Sequence, residues 1–181
     1  TIPMVALRLN LAGVSASIIG LISAAPAMGM LIISPFARYI VQWLGKRLAM
    51  LLATIISAIS LLPLMGSLPL EFLFPLRLIT GIASGVMICL GETWINELVP
   101  DNKRGRILAI YTTVFTISQL LGPSIIALYG VADKTPILIS VLLHIISIVL
   151  FLMMDQKVGD KLAKDSEESH FSILRFIKVA P

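Results

Sequence analysis

Five apolar runs, each close to the ~20 residues that a helix needs to cross a bilayer, follow one another with only short polar breaks between them. They cover Ser17 to Tyr39, Leu48 to Met65, Leu70 to Leu90, Ile107 to Tyr129 and Pro136 to Met154. A chain so divided is expected to be all-α, a polytopic bundle of transmembrane helices. The opening Thr1 to Leu9 is apolar but too short to cross, and is expected to be the tail of a first helix that begins upstream, which makes six. It lacks the basic n-region and small-residue cleavage pattern of a signal peptide.

Composition agrees with a membrane setting: 57% of the residues are hydrophobic, 13% are charged, and the mean hydropathy is +0.98. A soluble domain is rarely so apolar. The net charge of +4 does not predict a nucleic-acid partner, because the basic residues lie in short clusters between the apolar runs. Lys46 and Arg47 follow the first full span, Lys103, Arg104 and Arg106 the third, and Lys157, Lys161 and Lys164 the fifth. The intervening loops carry only Arg8 and Lys134. Basic loops stay in the cytoplasm, so the first set and the N-terminus are expected there, in a protein of the bacterial inner membrane. Cys89 is the single cysteine, which leaves neither a disulfide framework nor a cysteine metal site. No metal and no cofactor are expected.

Residues 1–154 therefore form the expected transmembrane unit. Residues 155–168 are charged and polar, a solvated cytoplasmic linker. Residues 169–181 place Phe171, Leu174 and Ile177 at helical spacing, with Arg175 and Lys178 available for lipid phosphates. This predicts a short interfacial helix; the alternative is the start of a further span.

The residues that stand out are polar ones inside apolar runs. Arg77 begins an RxxxGxxxG pattern with Gly81 and Gly85. A cation at that depth is costly and marks a functional position, or else serves only to bond carbonyls of an adjacent helix. The glycines, four apart, let two backbones approach closely. Glu92 lies fifteen residues further along the same helix, ~22 Å at 1.5 Å per residue, too far to pair with Arg77. It is either a protonatable site near the mouth of a cavity or a helix-end carboxylate, whereas Glu97 and Asp101 are expected to be solvated. Thr112, Thr116 and Gln119 form a polar stripe that lines an aqueous path or glues helices together. His144 is either a proton relay or a bond to a neighbouring helix.

These features, in this order, resemble the N-terminal six-helix half of the major facilitator superfamily of secondary transporters. The RxxxGxxxG of Arg77, Gly81 and Gly85 matches the family's fourth-helix motif at every defined position. Gly45, Lys46 and Arg47 match the end of its GxxxDxxGRR loop motif, with Gln42 where the acidic residue is expected and Arg38 where the first glycine is. Ser118, Gly122 and Pro123 resemble a weakened GxxxGP antiporter signature, and Gly91 to Arg106 looks most like the YcaD-type bacterial branch. The resemblance implies alternating access between two bundles, a C-terminal half as partner, and a small organic solute as substrate. It also implies proton coupling, with Arg77 tuning a site electrostatically and Glu92 as candidate carrier.

Other classes fit less well. Ser84 with His144 superficially resembles the dyad of rhomboid intramembrane proteases, but Ile82 stands where that pattern needs glycine. No HExxH, GxGxxG or phosphate loop is present, and nothing resembles a channel filter. A membrane scaffold that transports nothing is the remaining alternative. No enzyme is expected.

Overall fold

The computed structural model describes residues 2–66, 69–131 and 133–153. The expected linker over 155–168 and interfacial helix over 169–181 lie outside the described residues, as does Met154. Among the described residues every regular element is helical: α1 (Ile2–Leu11), α2 (Ala16–Ile33), α3 (Ala37–Leu44), α4 (Lys46–Leu61), α5 (Leu70–Leu98), α6 (Asp101–Tyr129) and α7 (Thr135–Met153). Short 3-10 turns at Ser34–Phe36 and Leu62–Met65 complete them. Five segments are long and apolar enough to cross a membrane: Ala16–Leu44, Lys46–Met65, Leu70–Glu97, Asn102–Tyr129 and Thr135–Met153.

Local chemistry explains the breaks. Pro35 sits in the 3-10 turn between α2 and α3, where its missing N–H and fixed φ interrupt the α-helical ladder without ending the span. That span consequently runs on to Leu44, five residues past the end expected from hydropathy. Gly45 then turns the chain directly from α3 into α4 with φ +74°, a conformation that costs a side-chain-bearing residue dearly. Pro69 and Pro100, both extended, stand immediately before α5 and α6. Ahead of α7, Asp133 Oδ1 accepts from the Thr135 N–H (2.9 Å) and hydroxyl (2.8 Å). Those bonds, the backbone one foremost, hold the Asp133 carboxyl below the usual carboxylate range.

The helices alternate in direction, so the bundle has two ends. One carries Arg8 and the α6–α7 loop; the other carries Lys46 and the end of α7. α5 is the central helix, packed on α2 along one side and on α4 along another, while α4 in turn packs on α7. Met4, Val5 and Leu9 of α1 meet Ile22, Leu61, Leu73 and Ile126 in an apolar cluster towards the Arg8 end. Ala49, Met50 and Ala53 of α4 meet Ala83, Val86, Leu90 and Trp94 of α5 towards the other. Large apolar side chains such as Leu31, Leu128, Leu142 and Leu150 remain exposed, as lipid-facing surfaces require. α6 differs from the others in being exposed along nearly its whole length.

Candidate functional site

The α2–α5 contact is built from missing side chains. A Cβ on Gly81 would collide with the Pro26 backbone, coming within 2.7 Å of its carbonyl carbon. One on Gly29 would lie 2.8 Å from the Ile82 nitrogen, and one on Gly85 would lie 2.6 Å from Ile33 Cγ2. Pro26 interrupts α2 at the same level, since it cannot donate to the helix ladder. At Gly29 and Gly81 backbone therefore touches backbone, with no side chain between to give way, while Gly85 packs on the Ile33 side chain and the Met30 backbone.

Arg77 lies one turn before Gly81 on α5 and is 2% exposed. Residues at i, i+4 and i+8 share a helix face, so Arg77 stands on the face that carries the two glycines. Burial places this cation in the low-dielectric interior, where Coulomb interactions are strong.

The opposite end of α5 holds three polar residues with different fates. Glu92 is exposed, and Tyr111 of α6 approaches one residue before it, its hydroxyl 3.8 Å from where a Cβ on Gly91 would be. Trp94 is buried, and its indole N–H has no hydrogen-bond partner among the described residues. Glu97 forms an ion pair with the buried Lys46, so the expectation that it is solvated is wrong: it is partly buried against α4. Arg47, next in sequence, donates from Nε to the Phe151 carbonyl (3.0 Å) and from Nη2 to that of Leu152 (2.7 Å). Phe151 and Leu152 lie in the last described turn of α7, so Arg47 ties the start of α4 to that helix. Adjacent residues at the start of α4 thus fasten two other helices.

His144 does not meet Ser84. Its Nδ1 faces the Ser140 carbonyl at 2.7 Å and so carries the hydrogen, and its Nε2 accepts from the Ser57 hydroxyl of α4 at 3.1 Å. The serine–histidine dyad is therefore not formed; the imidazole bonds α7 to α4. Thr112, Thr116 and Gln119 are exposed on α6, with the Thr116 hydroxyl donating to the Thr112 carbonyl (2.8 Å). Ser118 and Pro123 are exposed too, and a Cβ on Gly122 would meet nothing within 4 Å. Among the described residues no His, Cys, Asp and Glu side chains gather into a metal-binding group.

The sequence profile of the Major Facilitator Superfamily matches residues 1–180. The chain belongs to this superfamily. It is 25% identical over 175 residues to the uncharacterized MFS-type transporter YfkF of Bacillus subtilis, covering 97% of this chain and 44% of that protein. It is 28% identical over 109 residues to myo-inositol transporter 2 of Schizosaccharomyces pombe, covering 60% of this chain and 20% of that protein. It is 26% identical over 124 residues to the quinolone resistance protein NorA of Staphylococcus aureus, covering 68% and 32%. The chain spans less than half the length of the curated relatives it matches.

Within a major facilitator chain the Lys46–Glu97 pair has a particular interest. The loop lacks an acidic residue at Gln42, yet Glu97 at the end of α5 brings a carboxylate to its lysine. Sequence reading missed this pair, the Arg47 bonds to α7 and the Ser57–His144 bond. The cations were visible as topological signals, but nothing in their spacing named a partner 51 or 104 residues away. The superfamily is one of transporters, which leaves the protease reading without support.

Proposed function

We propose that this sequence forms one six-helix half of a proton-coupled secondary transporter for a small organic solute, working by alternating access against a second half. The observation that carries the reading is Arg77, 2% exposed one turn from the α2–α5 backbone contact. An ionisable residue within a membrane span is retained at a cost that function offsets. Its role is electrostatic, acting on charge near the middle of α5, while Glu92, exposed and ~22 Å further along the helix, is the candidate carrier of the coupled proton. The Lys46 end, with Arg47, Lys103, Arg104 and Arg106, faces the cytoplasm of a bacterial cell. The Arg8 and Lys134 end faces outward. The relatives' names, one an inositol transporter and one a quinolone resistance protein, suggest the first solutes to try.

The test uses proteoliposomes of the full-length protein with an imposed pH gradient, and a labelled quinolone and labelled myo-inositol as probes. Arg77→Gln is expected to abolish gradient-driven transport while Arg77→Lys, which keeps the charge but loses the planar fork, retains part of it. Both should be present in the membrane at normal levels. Wild-type rates in both variants would show that Arg77 is merely tolerated and would remove this reading of the site.

A further inference from the structure

Arg8, near the end of α1, makes three hydrogen bonds to backbone carbonyls. Its Nε donates to Val131 (2.7 Å), its Nη1 to Leu64 (2.8 Å) and its Nη2 to Asp133 (3.1 Å). Leu64 lies in the 3-10 turn that closes α4, while Val131 and Asp133 lie in the loop between α6 and α7. One guanidinium thus joins three chain segments separated by 56 to 125 residues in sequence. Three different nitrogens of a planar fork serve these carbonyls, whereas the three donors of an ammonium radiate from a single nitrogen on a flexible stem.

Two further features surround these bonds within this half. Beneath the guanidinium lies a recess of about 240 Å³ walled by Val5, Leu9, Leu64 and Leu73. The side chains around this space forfeit part of their contact energy, so the hydrogen bonds add to a packed contact between α1 and the turn that is incompletely filled. α6, moreover, is exposed from Ile107 through Leu121 except for partial cover at Leu108 and Tyr111. Among its described residues the buried one is Ile126, in the cluster with Met4, Val5 and Leu9. The loop that follows that contact is the one Arg8 holds.

We infer that Arg8 is a positioning residue: it fixes the Arg8 end of α6 and thereby sets how the Thr112–Thr116–Gln119 stripe is held relative to α5. This rests on the geometry alone and not on any substrate, so it stands or falls separately from the transport reading. The experiment uses the full-length protein in a Cys89→Ser background, with spin labels at the exposed positions Leu11 of α1 and Leu128 of α6. A second labelled pair, Ile79 and Thr116, reports on the stripe, and a third, Leu48 and Leu150, is a control on α4 and α7 at the other end.

With Arg8 present, the first two distance distributions should be narrow. Arg8→Gln should broaden and shift both while the control pair stays unchanged, and Arg8→Lys should fail to restore them, because a single nitrogen cannot occupy the three places that Nε, Nη1 and Nη2 fill. Distributions as narrow in Arg8→Gln as in the parent would overturn the inference. So would full restoration by lysine, which would make charge sufficient, or broadening of the control pair as well, which would make the effect a general loss of the fold.

Discussion

Glu92 projects from α5 near its Lys46 end, exposed, while Trp94 and Glu97 beyond it are buried or paired. Glutamine there mimics the protonated acid permanently. If Glu92 carries the coupled proton, Glu92→Gln proteoliposomes should exchange solute across the membrane at the parent rate and lose uphill transport driven by a pH gradient. Unchanged uphill transport would remove Glu92 from the mechanism. The Lys46–Glu97 pair invites a stability test of another kind. Removing one partner of a buried pair strands a charge, at a cost of about 3–5 kcal/mol when burial is complete and less where, as here, one member is partly exposed. Glu97→Gln should accordingly lower the midpoint of thermal unfolding in detergent, whereas the double replacement Lys46→Met, Glu97→Leu should restore most of it. A double variant as unstable as the single one would show that the loss lies in packing and not in the stranded lysine.

At the scale of elements, the α2–α5 contact is a place where backbone meets backbone. Even one methyl group at Gly81 meets the Pro26 main chain, which cannot rotate away. Gly81→Ala is therefore expected to destabilise the protein by roughly 1–3 kcal/mol, the usual cost of overpacking. Gly91→Ala, on the same helix, would make an ordinary 3.8 Å contact with the Tyr111 hydroxyl and should be neutral or stabilising, by up to about 1 kcal/mol, because alanine favours a helix interior over glycine. Thermal unfolding of the two variants side by side checks this, and equal stability would mean that α2 can slide without penalty. RxxxGxxxG marked α5 as a close-packing helix, but it did not name α2 as the partner. Ala25 and Gly29 carry the same small-residue spacing on α2, a signal the sequence reading did not use, and the role of Pro26 appears only when the two helices are seen together.

For the whole molecule, both ends of the bundle are fastened by cations bound to carbonyls or a carboxylate: Arg8 at one, Lys46 and Arg47 at the other. Which end faces the cytoplasm is open to a direct test. Single cysteines at Lys103 and Lys134 in a Cys89→Ser background should label from opposite sides, with only position 134 reached by an impermeant reagent in intact cells. Labelling at 103 from outside would reverse the orientation. The sequence alone determined the number of long apolar spans, because the length of an apolar run is set by bilayer thickness and needs no tertiary contact to be read, but not the helix limits: α5 runs eight residues past Leu90 and α6 begins six before Ile107. Only the tertiary structure decided which faces meet, that His144 bonds Ser57 and not Ser84, and that Glu97 is paired. The physical reason is that lipid tails are as apolar as a helix interface: runs that are hydrophobic all round carry no amphipathic stripe to show which side packs, and the partner is chosen by close approach and a few long-range hydrogen bonds.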